Sequence, residues 1–104
     1  TVFENALAAA PWTGPAVVAM RTGRYPDEVG VNELRDPLPE SVTTLAQRFR
    51  RAGYVTGSVV SNALAGPLYG HGKGYDFVHF ERYKEGPGEP PTFRADAVVD
   101  AALP

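Results

Sequence analysis

Residues 10–31 read APWTGPAVVAMRTGRYPDEVGV and carry the clearest local signals in the chain. The proline- and glycine-rich beginning of this stretch predicts a turn that leads directly into a helix. Thr13 suits the N-cap, because its hydroxyl can accept a hydrogen bond from a backbone N–H that has no partner inside the helix. Pro15 suits the first turn, where a missing N–H costs nothing. The helix is then predicted to continue to Thr22 and to end at Gly23.

A second helix and a strand follow in the order expected for half of a parallel α/β unit. Apolar residues at helical spacing predict a helix over 42–52, with Ser41 as its cap and Gly53 after its last residue. Residues 54–61 predict a strand with two valines at its centre, and residues 75–80 predict a shorter one. The order helix, glycine, strand indicates the α/β class with a parallel sheet.

The remaining segments are predicted to be connections, with one more helix near the end. Residues 32–40 and the glycine-rich residues 65–76 predict loops, and residues 84–91 predict an extended or flexible connector. A last helix is predicted over 92–103, with its cap at the threonine that begins it. Both ends look cut, because the chain lacks an initiator methionine and the last helix stops abruptly at Pro104.

Composition narrows the classes of protein. With 104 residues the chain is one domain at most, and 43% hydrophobic residues are ordinary for a globular fold. The net charge is −2 and no basic stripe exists, so we predict no nucleic-acid partner. Absence of cysteine excludes disulfides and thiolate metal sites. No apolar run is long enough to span a membrane, the N-terminus does not resemble a signal peptide, and the compartment is not specified.

Thr13 is the residue whose position has chemical meaning. A hydroxyl at a helix N-terminus lies beside free backbone N–H groups and the positive end of the helix dipole, which suits an anionic ester. A threonine hydroxyl is a weak nucleophile and needs a metal ion or an adjacent base to activate it. The ordinary interpretation is a helix cap, since capping threonines far outnumber catalytic ones. The local pattern leaves both interpretations open.

A series of short motifs extends over residues 2–80. They are FENA at 3–6, P-x-T-x-P at 11–15, TGRYP at 22–26 with GV at 30–31, TLA at 44–46, AGYVT at 52–56 and GYDF at 74–77. In order and spacing this series resembles the nucleophile-bearing part of the sulfatase-like hydrolases of the alkaline phosphatase superfamily. The resemblance implies a partial sulfatase-like catalytic domain over residues 1–104. It also implies an α/β fragment of an alkaline-phosphatase-like fold, with helices packed on part of a mostly parallel sheet.

The resemblance also implies an activity. The parent enzyme would be a metal-dependent hydrolase of sulfate or phosphate esters, acting on a small-molecule or glycan substrate. Thr13 falls on the nucleophile position, which also touches the metal. Threonine cannot follow the usual formylglycine route, which starts from cysteine or serine, so the resemblance favours the branch with a threonine nucleophile.

Several positions depart from the family pattern. The family's arginine two residues after the motif's second proline is Val17, and a serine is replaced by Ala16. The family's sulfate-contacting G-K-W-H segment falls on residues 60–63, VSNA, of which Ser61-Asn62 resembles what many threonine-type members carry. The family's other metal ligands fall outside this chain. The parent would hold Ca, Mg, Mn or Zn, whereas the chain alone is expected to bind no metal and to be inactive.

Two rival functions remain open. The parent could be a degenerate homologue that binds without catalysis, because Val17 replaces the arginine. It could also be a transferase of the same superfamily that moves a phospho-headgroup to a lipid or glycan acceptor. The oligomeric state is not determined by the sequence, although an open sheet edge would favour self-association.

Other candidate residues receive weaker predictions. The segment GHGKG at 70–74 lacks the spacing and the hydroxyl residue of a P-loop, so a nucleotide site is not predicted. His71 and His79 are more typical of polar surface than of a metal site, although His71 follows the strand and is predicted to approach substrate in the parent. Trp12 beside the nucleophile position is assigned to packing rather than to a site wall. Arg21 and Arg24 are assigned structural or surface roles.

Overall fold

Two parallel strands and four helices form the part of the protein that the computed structural model describes, residues 1–80 and 95–103. In the sheet Gly57 lies beside Phe77 and Val60 lies beside Phe80. The elements in chain order are α1 Thr13–Thr22, α2 Pro26–Val29, α3 Leu45–Arg51, β1 Gly57–Val60, two 3-10 turns Ala63–Ala65 and Pro67–Tyr69, β2 Phe77–Phe80, and α4 Ala95–Ala102.

The predicted cap of α1 was wrong by one residue. Trp12 is the N-cap, with extended backbone angles, and its carbonyl accepts a hydrogen bond from the Ala16 N–H at 3.1 Å. Thr13 is therefore already inside the helix and does not cap it. Gly23 ends α1 in the left-handed conformation, as predicted, with φ 68°. Residues 24–27, which are typical of a turn after α1, lead into the short helix α2.

The predicted start of α3 was also wrong. The helix begins at Leu45 with Thr44 as its cap, and Ser41 lies outside it. The Thr44 hydroxyl accepts a hydrogen bond from the Gln47 N–H at 3.2 Å, and the Gln47 side chain accepts one from the Thr44 N–H at 2.9 Å. This reciprocal pair needs a glutamine or glutamate three residues after the cap, and the residue three after Ser41 is Thr44.

The hydrophobic core lies between α1, α2 and the segment that precedes α3. It consists of Val18, Val29, Val31, Leu38 and Val42, each at most 7% exposed. Three of these residues belong to irregular backbone, so the predicted loop over 32–40 is part of the packed structure. This packing fixes the start of α1 against the loop.

Both strands are shorter than predicted. Before β1 the Thr56 N–H donates a hydrogen bond to the Asp76 carboxylate at 2.9 Å rather than to a backbone carbonyl. The Thr56 carbonyl accepts hydrogen bonds from the N–H groups of Asp76 at 2.8 Å and Phe77 at 3.3 Å. The predicted connector over 84–91 and the predicted cap Thr92 lie outside the described residues. In the described ranges no helix has the length and apolar character needed to cross a membrane.

Candidate functional site

Thr13 lies half-buried at the first position of α1. Its hydroxyl makes no hydrogen bond to any other part of the chain that the structure describes. The N–H groups of Thr13 and Gly14 are likewise without partners there, as expected for the first turn of a helix. A free hydroxyl therefore lies beside two free donors at the positive end of the helix dipole.

Close packing holds this turn in place. Gly14 is buried, and a Cβ atom at that position would lie 2.8 Å from the carbonyl oxygen of Leu34. Only glycine allows the start of α1 to approach the loop this closely. Pro15, the next residue, is almost completely buried. The position of Thr13 is thus set by the close backbone approach at Gly14 and by the buried ring of Pro15.

The face of α1 that bears Thr13 also bears Val17 and Arg21, since residues four apart share a helix face. Val17 is half-buried and apolar, so the family's arginine has no counterpart at this point. Arg21 donates hydrogen bonds to the carbonyl oxygens of His71 and, at 3.1 Å, Ala65. Its guanidinium also lies 5.5 Å from the centre of the Tyr75 ring. Arg21 therefore has the structural role predicted for it, while Arg24 is exposed.

The hydrogen bond from Arg21 to Ala65 shows that α1 lies close to the turn after β1, which the sequence did not predict. Because β1 ends at Val60, residues 61 and 62 lie at the carboxyl end of a parallel strand, where α/β folds bind ligands. Asn62 uses its side-chain oxygen to accept a hydrogen bond from the Leu64 N–H at 2.9 Å. In the sequence, only the order of helix, strand and turn indicates that α1 and the turn after β1 could lie close together.

His71 is enclosed rather than open to a cleft. It is 2% exposed, and neither ring nitrogen has a hydrogen-bond partner in the described ranges. Burial, together with the nearby Arg21 charge, lowers the pKa of His71 to about 4, so the ring is neutral at pH 7. Its carbonyl binds Arg21, eight residues and about 12 Å along the helix axis from Thr13. The contact of His71 with substrate stays a prediction.

The donor set for a divalent cation is not complete in the described ranges. Such an ion takes six or more oxygen ligands, or several nitrogen and oxygen ligands. No group of three or more histidine, cysteine, aspartate or glutamate side chains comes together there, and His79 is an exposed residue of β2. The Thr13 hydroxyl alone does not fit a metal site, so no reaction step is assigned to a metal.

The contacts of Lys73 and the surroundings of Trp12 show what these two side chains do. Lys73 belongs to the GHGKG segment at 70–74. It donates its hydrogen bonds to backbone carbonyls, so its ammonium group is not available to bind a phosphate. Trp12 is 52% exposed and lines a pocket of about 240 Å³ together with Tyr25 and Asn32. Thr13 does not line that pocket. Trp12 therefore forms a pocket wall rather than a packed core contact.

The helices and the two parallel strands place the described part of the chain in the α/β class, and α1 begins at a residue whose hydroxyl has no hydrogen-bond partner there. A family model described as Sulfatase matches residues 1–101. The chain belongs to the sulfatase family, which confirms the resemblance drawn from the motifs.

A solved structure of a 2-O GAG sulfatase resembles the chain with a TM-score of 0.57 and 24% sequence identity. The match covers 95% of this chain and 21% of that chain. At this identity the likeness shows the fold alone, and it confirms the predicted α/β architecture. A search of curated proteins found no match.

Proposed function

We propose that this chain is the nucleophile-bearing part of a larger catalytic domain that hydrolyses sulfate or phosphate esters, with Thr13 as nucleophile. The observation that carries the proposal is the Thr13 hydroxyl, which has no hydrogen-bond partner in the described ranges and lies beside two free N–H groups. Family membership supports the reaction class. Because residue 13 is threonine, the proposal takes the direct hydroxyl route without formylglycine.

In the proposed reaction the Thr13 oxygen attacks sulfur or phosphorus in line with the ester oxygen, which leaves and takes up a proton. Water then attacks the same sulfur or phosphorus atom, so that sulfate or phosphate is released and the Thr13 hydroxyl is restored. The free N–H groups of Thr13 and Gly14 hydrogen-bond negative charge as it develops on the transferred group. The hydroxyl proton needs an acceptor, and no described side chain is bonded to the hydroxyl. We infer that this acceptor and the divalent cation implied by the resemblance are held by residues beyond this chain. The chain alone is therefore expected to be inactive.

The structural relative supports a proposal for the substrate class. That protein is a 2-O GAG sulfatase, which supports a glycan sulfate ester as the substrate of the parent enzyme. Small-molecule esters of sulfate or phosphate share the same charged group and serve as probes. An anionic tetrahedral group suits a helix N-terminus in each case.

The test is hydrolysis of aryl sulfate, aryl phosphate and sulfated glycan by the full-length protein that contains this chain. We expect Thr13→Ala to lower kcat by about 10³-fold or more, because the attacking oxygen is lost. Thr13→Ser keeps a hydroxyl and should retain measurable turnover. Ser41→Ala, which removes an exposed hydroxyl, is the matched control. Unchanged turnover in Thr13→Ala would contradict the proposal.

A second candidate is a degenerate homologue that binds esters without cleaving them. The observation that favours it is Val17, an apolar residue on the Thr13 face where the family carries arginine. In that case the full-length protein would show no turnover of any of the three esters. Calorimetric titration with the sulfated glycan would still show saturable binding, weakened when Thr13 is replaced by a bulky residue.

A further inference from the structure

The ammonium group of Lys73 lies at the centre of three backbone carbonyls. It donates hydrogen bonds to the oxygens of Val42 at 2.8 Å, Pro39 at 3.4 Å, and Glu40. A lysine ammonium has three N–H donors, so all three are used. The Lys73 side chain is only 14% exposed, which means that the charge is largely removed from water. The loop and not a carboxylate compensates this charge, because the Glu40 carboxylate is 3.7 Å away and 95% exposed.

Convergent carbonyl oxygens are a known solution for binding monovalent cations, because their dipoles replace the hydration shell of the ion. We propose that the carbonyls of Pro39, Glu40 and Val42 form a site for a small monovalent cation, which Lys73 fills as a tethered ammonium ion. The ligand class is ammonium, a primary alkylammonium or potassium. This site is independent of the ester hydrolase proposed above.

The tether itself is rigidly placed. The Lys73 carbonyl accepts a hydrogen bond from the Thr44 hydroxyl at 3.0 Å. A Cβ atom on the next residue, Gly74, would lie 2.7 Å from the Gln47 nitrogen, so the backbone there packs against the start of α3. The cation therefore joins two segments, the loop before α3 and the loop before β2.

The loop that the cation binds also supports the start of α1. Its residue Leu38 belongs to the core, and the Leu34 carbonyl packs on Gly14. Trp12, the single tryptophan of the chain, lines a pocket together with Pro15 and Asn32, which lie close to this contact in sequence. Loss of the cation should release the loop and change the environment of Trp12, although Lys73 itself lies in a different segment.

The experiment uses Lys73→Met in the whole 104-residue chain. Thermal unfolding is recorded in tetramethylammonium chloride, then with ammonium or potassium chloride at equal ionic strength. We expect the variant's Tm to fall by about 5 °C or more, because three carbonyls lose their donor. Ammonium or potassium should restore part of the Tm with saturation, while the larger tetramethylammonium should not. Acrylamide quenching of Trp12 should rise in the variant and fall again on rescue.

The controls are Lys73→Arg and Glu40→Gln. The first keeps a cation, and the second removes only an exposed carboxylate, so both should lack the selective response to ammonium. An unchanged Tm in Lys73→Met, or a loss of Tm that is the same in all three salts, would overturn the proposal. If Lys73→Met does not fold in tetramethylammonium, recovery of its helical circular dichroism by ammonium or potassium supports the site. Failure of both ions to recover Lys73→Met and Lys73→Gln overturns it.

Discussion

At the residue scale, His71 shows what burial does to a side chain in a glycine-rich loop. Exposed loops with histidine usually present a polar group to water, but here Arg21 binds the His71 carbonyl and the ring turns inward. The neutral imidazole loses its hydrogen bonds to water and gains none from described residues. A proton on this ring would add a buried charge beside Arg21, so the ring resists protonation.

We predict that burial of His71 lowers the free energy of unfolding at acidic pH. The pKa of His71 is about 4 in the fold and 6.5 in the unfolded chain. Between these values the unfolded chain binds more protons, so the contribution is fully present above pH 6.5 and is lost as the pH falls toward 4. The loss between pH 7 and pH 5 should be about 2 kcal/mol. Urea unfolding of wild type and His71→Leu at both pH values measures it.

His79→Gln serves as the control for that measurement, because it removes the exposed histidine and leaves His71 in place. It should keep the pH dependence of wild type, whereas His71→Leu should lose most of it. An equal pH dependence in wild type and His71→Leu would show that other groups are responsible.

At the element scale, the start of α3 depends on a side-chain pair and not on hydrophobic spacing. The apolar periodicity begins at Val42. The Val42 side chain is buried in the core, but its backbone precedes the helix and is not helical. Thr44 and Gln47 satisfy each other's backbone N–H groups, and Thr44 is 2% exposed. Its hydroxyl also binds the Lys73 carbonyl, so the cap joins α3 to the loop before β2.

A substitution at the cap tests this assignment. Thr44→Ala removes the acceptor of the Gln47 N–H and the donor to Lys73, and should lower the free energy of unfolding by about 1–2 kcal/mol. Ser41→Ala, at the residue that periodicity alone selects as cap, should change it by less than about 0.5 kcal/mol. Equal effects of the two substitutions in denaturant unfolding would contradict the capping pair.

At the scale of the whole molecule, the described surface is rich in exposed apolar side chains. A pocket of about 660 Å³ between α1, α3 and β1 is lined by Met20, Phe49 and Val55 among others. Val55 is 83% exposed, and it directly precedes the segment that leads into β1. Large apolar patches and strand edges favour association with another chain.

We therefore predict that the isolated chain self-associates as its concentration rises. Val55→Lys places a charge in the apolar patch and should shift the association to higher concentration. Ser41→Lys adds the same charge at an exposed polar residue and should have little effect. Light scattering coupled to size-exclusion chromatography over a wide concentration range measures both. Identical association of the two variants would show that the patch near β1 is not the contact.

Around the candidate site, sequence patterns predicted correctly those features that depend on residues close together in the chain. Gly23 ends α1 because it adopts a left-handed conformation without a Cβ penalty, and the motif series correctly indicated the family. The residues that surround the site could not be predicted in the same way. That Gly14 touches Leu34, and that Arg21 bridges to the turn after β1, depends on contacts between residues far apart in the chain.

Local sequence features were sufficient for the α/β class, the family, the helix that starts at Thr13 and the strand that follows α3. Each is encoded by periodicity, glycine positions or motif order, which are local properties. The pairing of Thr44 with Gln47 that starts α3 is likewise a local pattern. The burial of His71 and the position of Lys73 among backbone carbonyls required the tertiary structure. These outcomes depend on which polar groups meet across the fold, since a buried donor or charge must find its partner there.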